Sequence, residues 1–357
     1  MGKALSISLC MIVKNEEVCI GTALKSVKSV LGFEDIVVVD TGSVDKTKEI
    51  ALSYGANIFD FEWIDDFSAA KNFAAENAKN DWILAIDADE EIMEADLLGL
   101  EVFTNDEYAV GEITLEELSN QSRTFVTRLY NRRHYKFEGR IHEQIVSSSG
   151  IARKAPITAP VTVAHYGYLP EFFESKDKAA RNERLLLEEL LHVPDDPYVL
   201  YQLGKCNYAY DRDLQQACYY FDKALKSFSK DADADLRHGF IYSAVECYGY
   251  ALVNTGQFEK ALELVEKYAH NYQASPAFRF LTAHVLQNNG LFIEAVECYE
   301  SCIGAKAADN RGITSFLSYY NIGVILECVD MKEDAIKMYK KCKDYEPAKQ
   351  RLAELGG

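Results

Sequence analysis

The sequence predicts an α/β N-terminal domain on a mostly parallel sheet, followed by an all-α repeat domain. Three observations predict it. The runs Ile7 to Val13, Asp35 to Asp40 and Trp82 to Ile86 are almost continuously apolar and alternate with amphipathic stretches. Strands buried on both faces of a parallel sheet have this pattern. Beyond Pro197 the periodicity is helical throughout, and similar segments return at intervals. The third observation is the stretch Asp81 to Glu90, whose apolar core breaks abruptly into acids. Carboxylates just past a strand lie at the sheet's C-terminal edge, where open α/β sheets bind their ligands.

The chain of 357 residues is long enough for two cores, and 48% hydrophobic residues imply a globular protein. A net charge of −18 argues against nucleic acid or an anionic membrane as partner. Nine cysteines, scattered and without a Cys-x-x-Cys motif, suggest reduced core thiols and a cytoplasmic location. No apolar run reaches 18 residues, so no membrane span is expected. Residues 1–6 fit an acylation pattern at Gly2, but a buried strand follows at once.

In chain order, Ile7 to Val13 reads as the first strand. The helix after Lys14, Asn15, Glu16 and Glu17 runs to about Leu31 and is ended by Gly32. The second strand closes at Thr41-Gly42-Ser43, and Ser43 or Asp45 is placed to cap the next helix. Ala56 to Phe61 is a short third strand. Asp65 and Asp66 precede a helix from Phe67 to Ala78, and Trp82 to Ile86 is the fourth strand.

The strand ends gather Asn15 and Glu16, Asp40, and Asp87 with Asp89 on one edge. If the chain stays extended, Asp87 and Asp89 point the same way, as two hard oxygen ligands for Mg²⁺ or Mn²⁺. A strand followed by a polar turn and an acidic helix start, Glu90 to Asp96, explains the same residues without a site. The edge lacks the glycine-rich loops of dinucleotide and triphosphate sites.

Four ordered blocks now carry a resemblance: CMIVKNEE at 10–17, VVVDTGS at 37–43, DFSAAKNFAAENA at 66–78 and DWILAIDADEE at 81–91. Together they resemble the family 2 glycosyltransferases, inverting enzymes with the Rossmann-like GT-A fold that use nucleotide-sugar donors. The match covers about residues 5–168. It implies a UDP-sugar held by Val13, Asn15, Glu16, Asp40, Lys71, Asp87 and Ala88, with Asp40 on the uracil edge and Lys71 on base or phosphates. It also implies Mn²⁺ or Mg²⁺ on Asp89.

From Asp106 to Tyr168 short alternating segments replace the buried runs, resembling the antiparallel, acceptor-binding half of such a domain. In similar enzymes a late histidine completes the metal shell, and His165, in His165-Tyr166-Gly167-Tyr168, is the candidate. An inverting transfer needs a base. Glu143 beside His142 is the first choice and Glu138 the rival. Either could instead be an ion-pair partner of Arg128, Arg132, Arg133 or Arg140.

Pro170 marks the end of the first domain, 1–168, and a charged helix near Glu171 to Leu191 forms a linker, 169–195. Asp196-Pro197 then supplies an N-cap and first-turn proline for the repeat domain, 196–357. Segments aligned on Ala217, Ala261, Ala295 and Ala335 are 44, 34 and 40 residues apart. The 34 is the tetratricopeptide period, and the longer gaps fit insertions near 227–238 and 304–315. Leu203-Gly204 with Tyr208, and Ile322-Gly323, resemble the first-helix signature of such repeats.

The combination is similar to glycosyltransferases that modify bacteriocin peptides on oxygen or sulfur. It implies a polypeptide acceptor or protein partner on the repeats, with homodimerisation as another use for them. A sugar-nucleotide pyrophosphorylase is the alternative enzyme, disfavoured by Lys14-Asn15-Glu16 where that class carries a glycine-rich basic loop. A repeat scaffold with a degenerate transferase domain is the alternative outside catalysis, and the intact acids argue against it.

Overall fold

The computed structural model describes residues 5–117, 122–148, 150, 154–166, 175–209, 213–228, 238–306 and 312–356. The acylation pattern at Gly2, Gly167-Tyr168, Pro170 and much of the two insertion stretches lie outside them. The chain forms two compact units, Met1–Glu189 and Leu190–Gly357.

The first unit is built on an eight-stranded sheet in the order β3-β2-β1-β4-β7-β6-β10-β5. Strands β1 (Ile7–Val13), β2 (Ile36–Asp40), β3 (Asn57–Asp60) and β4 (Trp82–Ala85) are parallel neighbours. Their C-terminal ends therefore share one edge. Leu9, Met11, Ile36, Val38 and Leu84 face a core closed by α1 (Ile20–Ser26), the π-turn Val27–Leu31 and α2 (Thr47–Ser53). On the other face Cys10, Val37, Val39 and Ile83 meet α3 (Phe67–Glu76). Gly32 ends the first helical stretch with φ 65°, as its position suggests. Asp66 caps α3 through the Ala69 N–H. The edge strand β3 departs from the expectation of burial, since its two end residues are exposed.

Past Ile86 the chain does not stay extended. It turns, with the Glu90 N–H on the Asp87 carbonyl at 3.2 Å. The acidic stretch that follows is strand β5 (Glu90–Ala95), not a helix start, and α4 (Leu97–Phe103) comes only after it. The acids belong to an edge strand, where alternation leaves half the side chains outside the core.

Strand β7 (Ser122–Asn131) extends the sheet antiparallel to β4, and β6 (Val110–Glu117) follows antiparallel to β7. This half is mixed rather than purely antiparallel. Strand β10 (Ile157–His165) runs parallel to β6 and antiparallel to β5, bringing His165 opposite Glu90. A separate hairpin, β8 (Tyr135–Glu138) with β9 (Gln144–Ser147), docks on α3. Asn72 bonds the Phe137 backbone in both directions at 2.9 Å. Helix α5 (Ser175–His192) joins this unit through Arg184, 3.0 Å from Asp65.

In the second unit, α6 (Pro197–Tyr208) with α7 (Leu214–Phe228) and α8 (His238–Asn254) with α9 (Phe258–Tyr272) form the first two pairs. Then come α10 (Pro276–Asn288) with α11 (Phe292–Cys302), α12 (Phe316–Cys328) with α13 (Lys332–Lys341), and α14 (Glu346–Leu355). Asp196 caps α6, with Pro197 in the first turn. The four aligned alanines all lie on second helices and are fully buried. This is a tetratricopeptide-type repeat: each small residue lets a neighbouring helix approach, and stacking makes one continuous core. None of the nine cysteines, all among the described residues, is in a disulfide. Among the described residues no helix is long and apolar enough to cross a membrane.

Candidate active site

The C-terminal ends of β1, β2 and β4 form one edge, bordered by β7, the end of β10 and the connection between β8 and β9. Asp40 ends β2 and is 1% exposed. Gly42, at φ 104°, bends the chain so that its own N–H and that of Ser43 reach Asp40 Oδ1 at 3.0 and 2.9 Å. Oδ2 is buried without a hydrogen-bond partner. Burial pushes the carboxyl up, but the Ser43 and Gly42 donors and then Lys48, 3.8 Å away, hold it below its ordinary value.

Val13, Asn15 and Glu16 serve the loops in this structure. The Val13 carbonyl accepts from the Thr41 N–H at 2.9 Å, and Asn15 Oδ1 accepts from the Val44 N–H at 2.9 Å. Glu16 donates its N–H to Thr47 Oγ1 at 2.7 Å, and its carboxylate lies 3.1 Å from the Cys19 thiol. Burial, then that carboxylate, keep the thiol protonated. Asp45, rather than Ser43, receives the Thr47 N–H at the start of α2.

The turn after β4 separates the two acids. Asp87 meets the Arg128 guanidinium at 2.7 Å and Lys71 Nζ at 3.9 Å. Burial opposes its charge, yet Arg128 and then Lys71 hold the carboxyl far below the usual range. Asp89 instead lies 3.2 Å from His165 Nε2, and its carbonyl accepts from the Tyr166 N–H at 3.0 Å. Ala88 between them is buried.

Lys71 is 9% exposed and pairs with Glu143, so it is not the solvated helix residue that its position alone would suggest. None of the four arginines considered as partners of Glu143 holds it in this structure. Its ion-pair partner is Lys71, while Glu138 lies exposed, 3.7 Å from Lys136. His142 is exposed, in a left-handed conformation with φ 53°.

Sequence reasoning missed two residues. Arg128 bridges Asp87 and Glu90, the latter at 3.1 Å, and Glu90 returns to accept the Asp87 N–H at 2.8 Å. Glu90 is 2% exposed. Burial pushes its carboxyl up to about 7 despite Arg128, with Asp87 adding to the rise. The available signal was an arginine on an apolar strand, Phe125 to Tyr130, which needs a buried acid as partner.

Among the described residues no three His, Cys, Asp or Glu side chains gather as a metal cage. Asp89 and His165 put one oxygen and one nitrogen donor 3.2 Å apart, a pair whose chemistry suits an ion that completes its shell with water and phosphate. The charge balance also fits. Lys71 and Arg128 face three carboxylates, those of Asp87, Glu90 and Glu143, and the fourth, Asp89, faces His165.

Residues 8–158 match the family described as Glycosyl transferase family 2. A TPR repeat-containing protein of Synechococcus elongatus is 33% identical over 237 residues, 63% of this chain and 58% of that protein. The SPbeta prophage-derived glycosyltransferase SunS of Bacillus subtilis is 30% identical over 241 residues, 64% of this chain and 55% of SunS. The chain thus spans somewhat more than half the length of these curated relatives. A MamA fragment from Desulfovibrio magneticus RS-1 is similar in structure at TM-score 0.38 and 20% identity, over 48% of this chain and 86% of that one.

Proposed function

We propose that this chain, an enzyme with a family 2 glycosyltransferase domain before a tetratricopeptide-type repeat, moves a sugar from UDP to a polypeptide with inversion. The observation that supports this most is Asp89 beside His165 at 3.2 Å, on the same sheet edge as the buried, half-unpaired carboxylate of Asp40. Asp40 Oδ2 suits the imide N–H of uracil, because a buried acceptor without a partner strongly favours a ligand that donates to it. Lys71 suits the diphosphate as a point charge. Arg128 and Glu90 hold Asp87 from the side chain and from the backbone, leaving Asp89 and His165 for Mn²⁺ or Mg²⁺. That ion would neutralise charge on the departing diphosphate.

Glu143 takes the proton of the acceptor hydroxyl or thiol. The freed electron pair forms the bond to the anomeric carbon, and the sugar–phosphate bond breaks with its pair leaving on UDP. The repeats hold the acceptor: exposed polar faces between stacked helices offer an extended surface for a polypeptide. Nine cysteines outside any disulfide favour a reducing compartment, which supports a cytoplasmic location.

The test incubates the protein with a panel of UDP-sugars, a divalent ion and candidate peptides, read by mass spectrometry. Transfer should depend on the ion and fall by at least about a hundredfold in Asp89→Ala. Equal transfer in EDTA, or by the variant, would remove the metal from the mechanism.

A further inference from the structure

We infer that the Lys71–Glu143 ion pair is a latch on the base, opened by the donor itself. The inference rests on the donor and base roles proposed above. Lys71 lies in nearly complete burial between two carboxylates, Glu143 in direct contact and Asp87 at 3.9 Å, with its ammonium 5.2 Å from the Phe137 ring centre. A carboxylate oxygen occupied by the Lys71 ammonium is blocked from reaching the proton of an incoming acceptor. Glu143 in this arrangement is masked.

The pair is not what docks the hairpin. The next residue, Asn72, already fastens it through both polar atoms of the Phe137 backbone, each at 2.9 Å. Lys71 can therefore leave Glu143 without undocking β8 and β9. A diphosphate reaching the edge by Asp87 and Asp89 carries more charge than one carboxylate and draws the ammonium toward itself. Glu143 is then free to accept the acceptor's O–H or S–H proton, as the new bond forms at the anomeric carbon and the sugar–phosphate pair leaves on UDP. The base thus becomes accessible only when the donor is in place.

The consequence is competition: without donor, Glu143 opposes UDP for the same ammonium. The probe is UDP with Mn²⁺, titrated calorimetrically into the full chain. Glu143→Gln should tighten UDP by about five- to tenfold, within the usual range of such couplings. Lys71→Gln should weaken UDP, and adding Glu143→Gln to it should change affinity less than about twofold. Glu143→Asp, with a shorter reach, should tighten UDP less than Glu143→Gln, and it decides the matter if the glutamine variant does not fold. Unchanged or weaker UDP binding in folded Glu143 variants would overturn the latch while leaving the donor assignment intact. Absence of UDP binding by the unaltered chain would overturn the donor assignment and the latch with it.

Discussion

Asp40 illustrates how a single carboxylate is tuned by local backbone. The N–H groups of Gly42 and Ser43 both point at one oxygen, and the other oxygen is buried and unpaired. Two bonds to a charged acceptor outweigh the burial that would protonate it, so the carboxyl sits below its ordinary 3.8. The sign of the pH effect follows. A depressed folded value means that Asp40 contributes stability above the unfolded value, and the contribution is lost as pH falls through the folded one. Asp40→Ala should cost about 2–3 kcal/mol near neutral pH, and the gap from the unaltered protein should close on acidification below 4. Urea melts across pH 2 to 7 check this, and a gap constant over the range would refute it. In the same variant UDP should lose its advantage over CDP and GDP. The neighbouring cluster was less legible than Asp40. Asp87, Asp89 and His165 stand out because acids follow an apolar run and a histidine ends a strand. An arginine on an apolar strand called for a buried acid, but that the acids are Asp87 and Glu90 became visible only once β7 was found beside β4, a pairing that no local pattern encodes.

Among the elements, those with strong local signals were read from the residues. The apolar runs became β1, β2 and β4, Asp66 and Asp196 became caps, and the four recurring alanines became buried second-helix contacts. Strand β5 was not, because Glu90 to Ala95 owes its conformation to hydrogen bonds with β10 and its acids match a helix start equally well. Strand β6 went unread although Glu112 to Glu116 alternates polar and apolar residues, and helix α4 had no distinct local signal. The small residues of the repeats permit a quantitative check. A Cβ on Gly204 would meet the Phe221 ring at 2.5 Å, and Phe221 is fully buried. Replacing a helical glycine by alanine gains up to about 1 kcal/mol of propensity, but forcing volume into a packed core costs about 1–3 kcal/mol. Overpacking wins, so Gly204→Ala should lower the melting temperature of the second unit without changing UDP affinity. Gly239→Ala is the control, since among the described residues nothing lies within 4 Å of its Cβ and propensity alone should stabilise it slightly. If both substitutions stabilise, the close approach is not what holds α6 to α7.

At the scale of the whole molecule, the two compact units divide the work unequally. The side chains assigned to donor, metal and base all lie in Met1–Glu189, whereas Leu190–Gly357 consists of stacked helices around its own core. Helix α5 crosses the division, and the part before it is tied to the first unit by Arg184 to Asp65 and by Glu188, 3.4 Å from Arg140. A chain ending after His192 should therefore retain the core of the first unit. It should bind UDP with unchanged affinity and hydrolyse UDP-sugar slowly, yet lose efficient transfer to a polypeptide. The loss should fall mainly on KM, by about a hundredfold or more in kcat/KM, because remote contacts position the acceptor rather than make or break bonds. Removing the repeats also uncovers apolar side chains such as Leu190, so circular dichroism and sedimentation must first establish a folded monomer. A folded truncated chain that glycosylates its acceptor with undiminished kcat/KM would assign the repeats to another task. Self-association would then be the next measurement, because the stacked helices would still present an extended surface with no acceptor to hold.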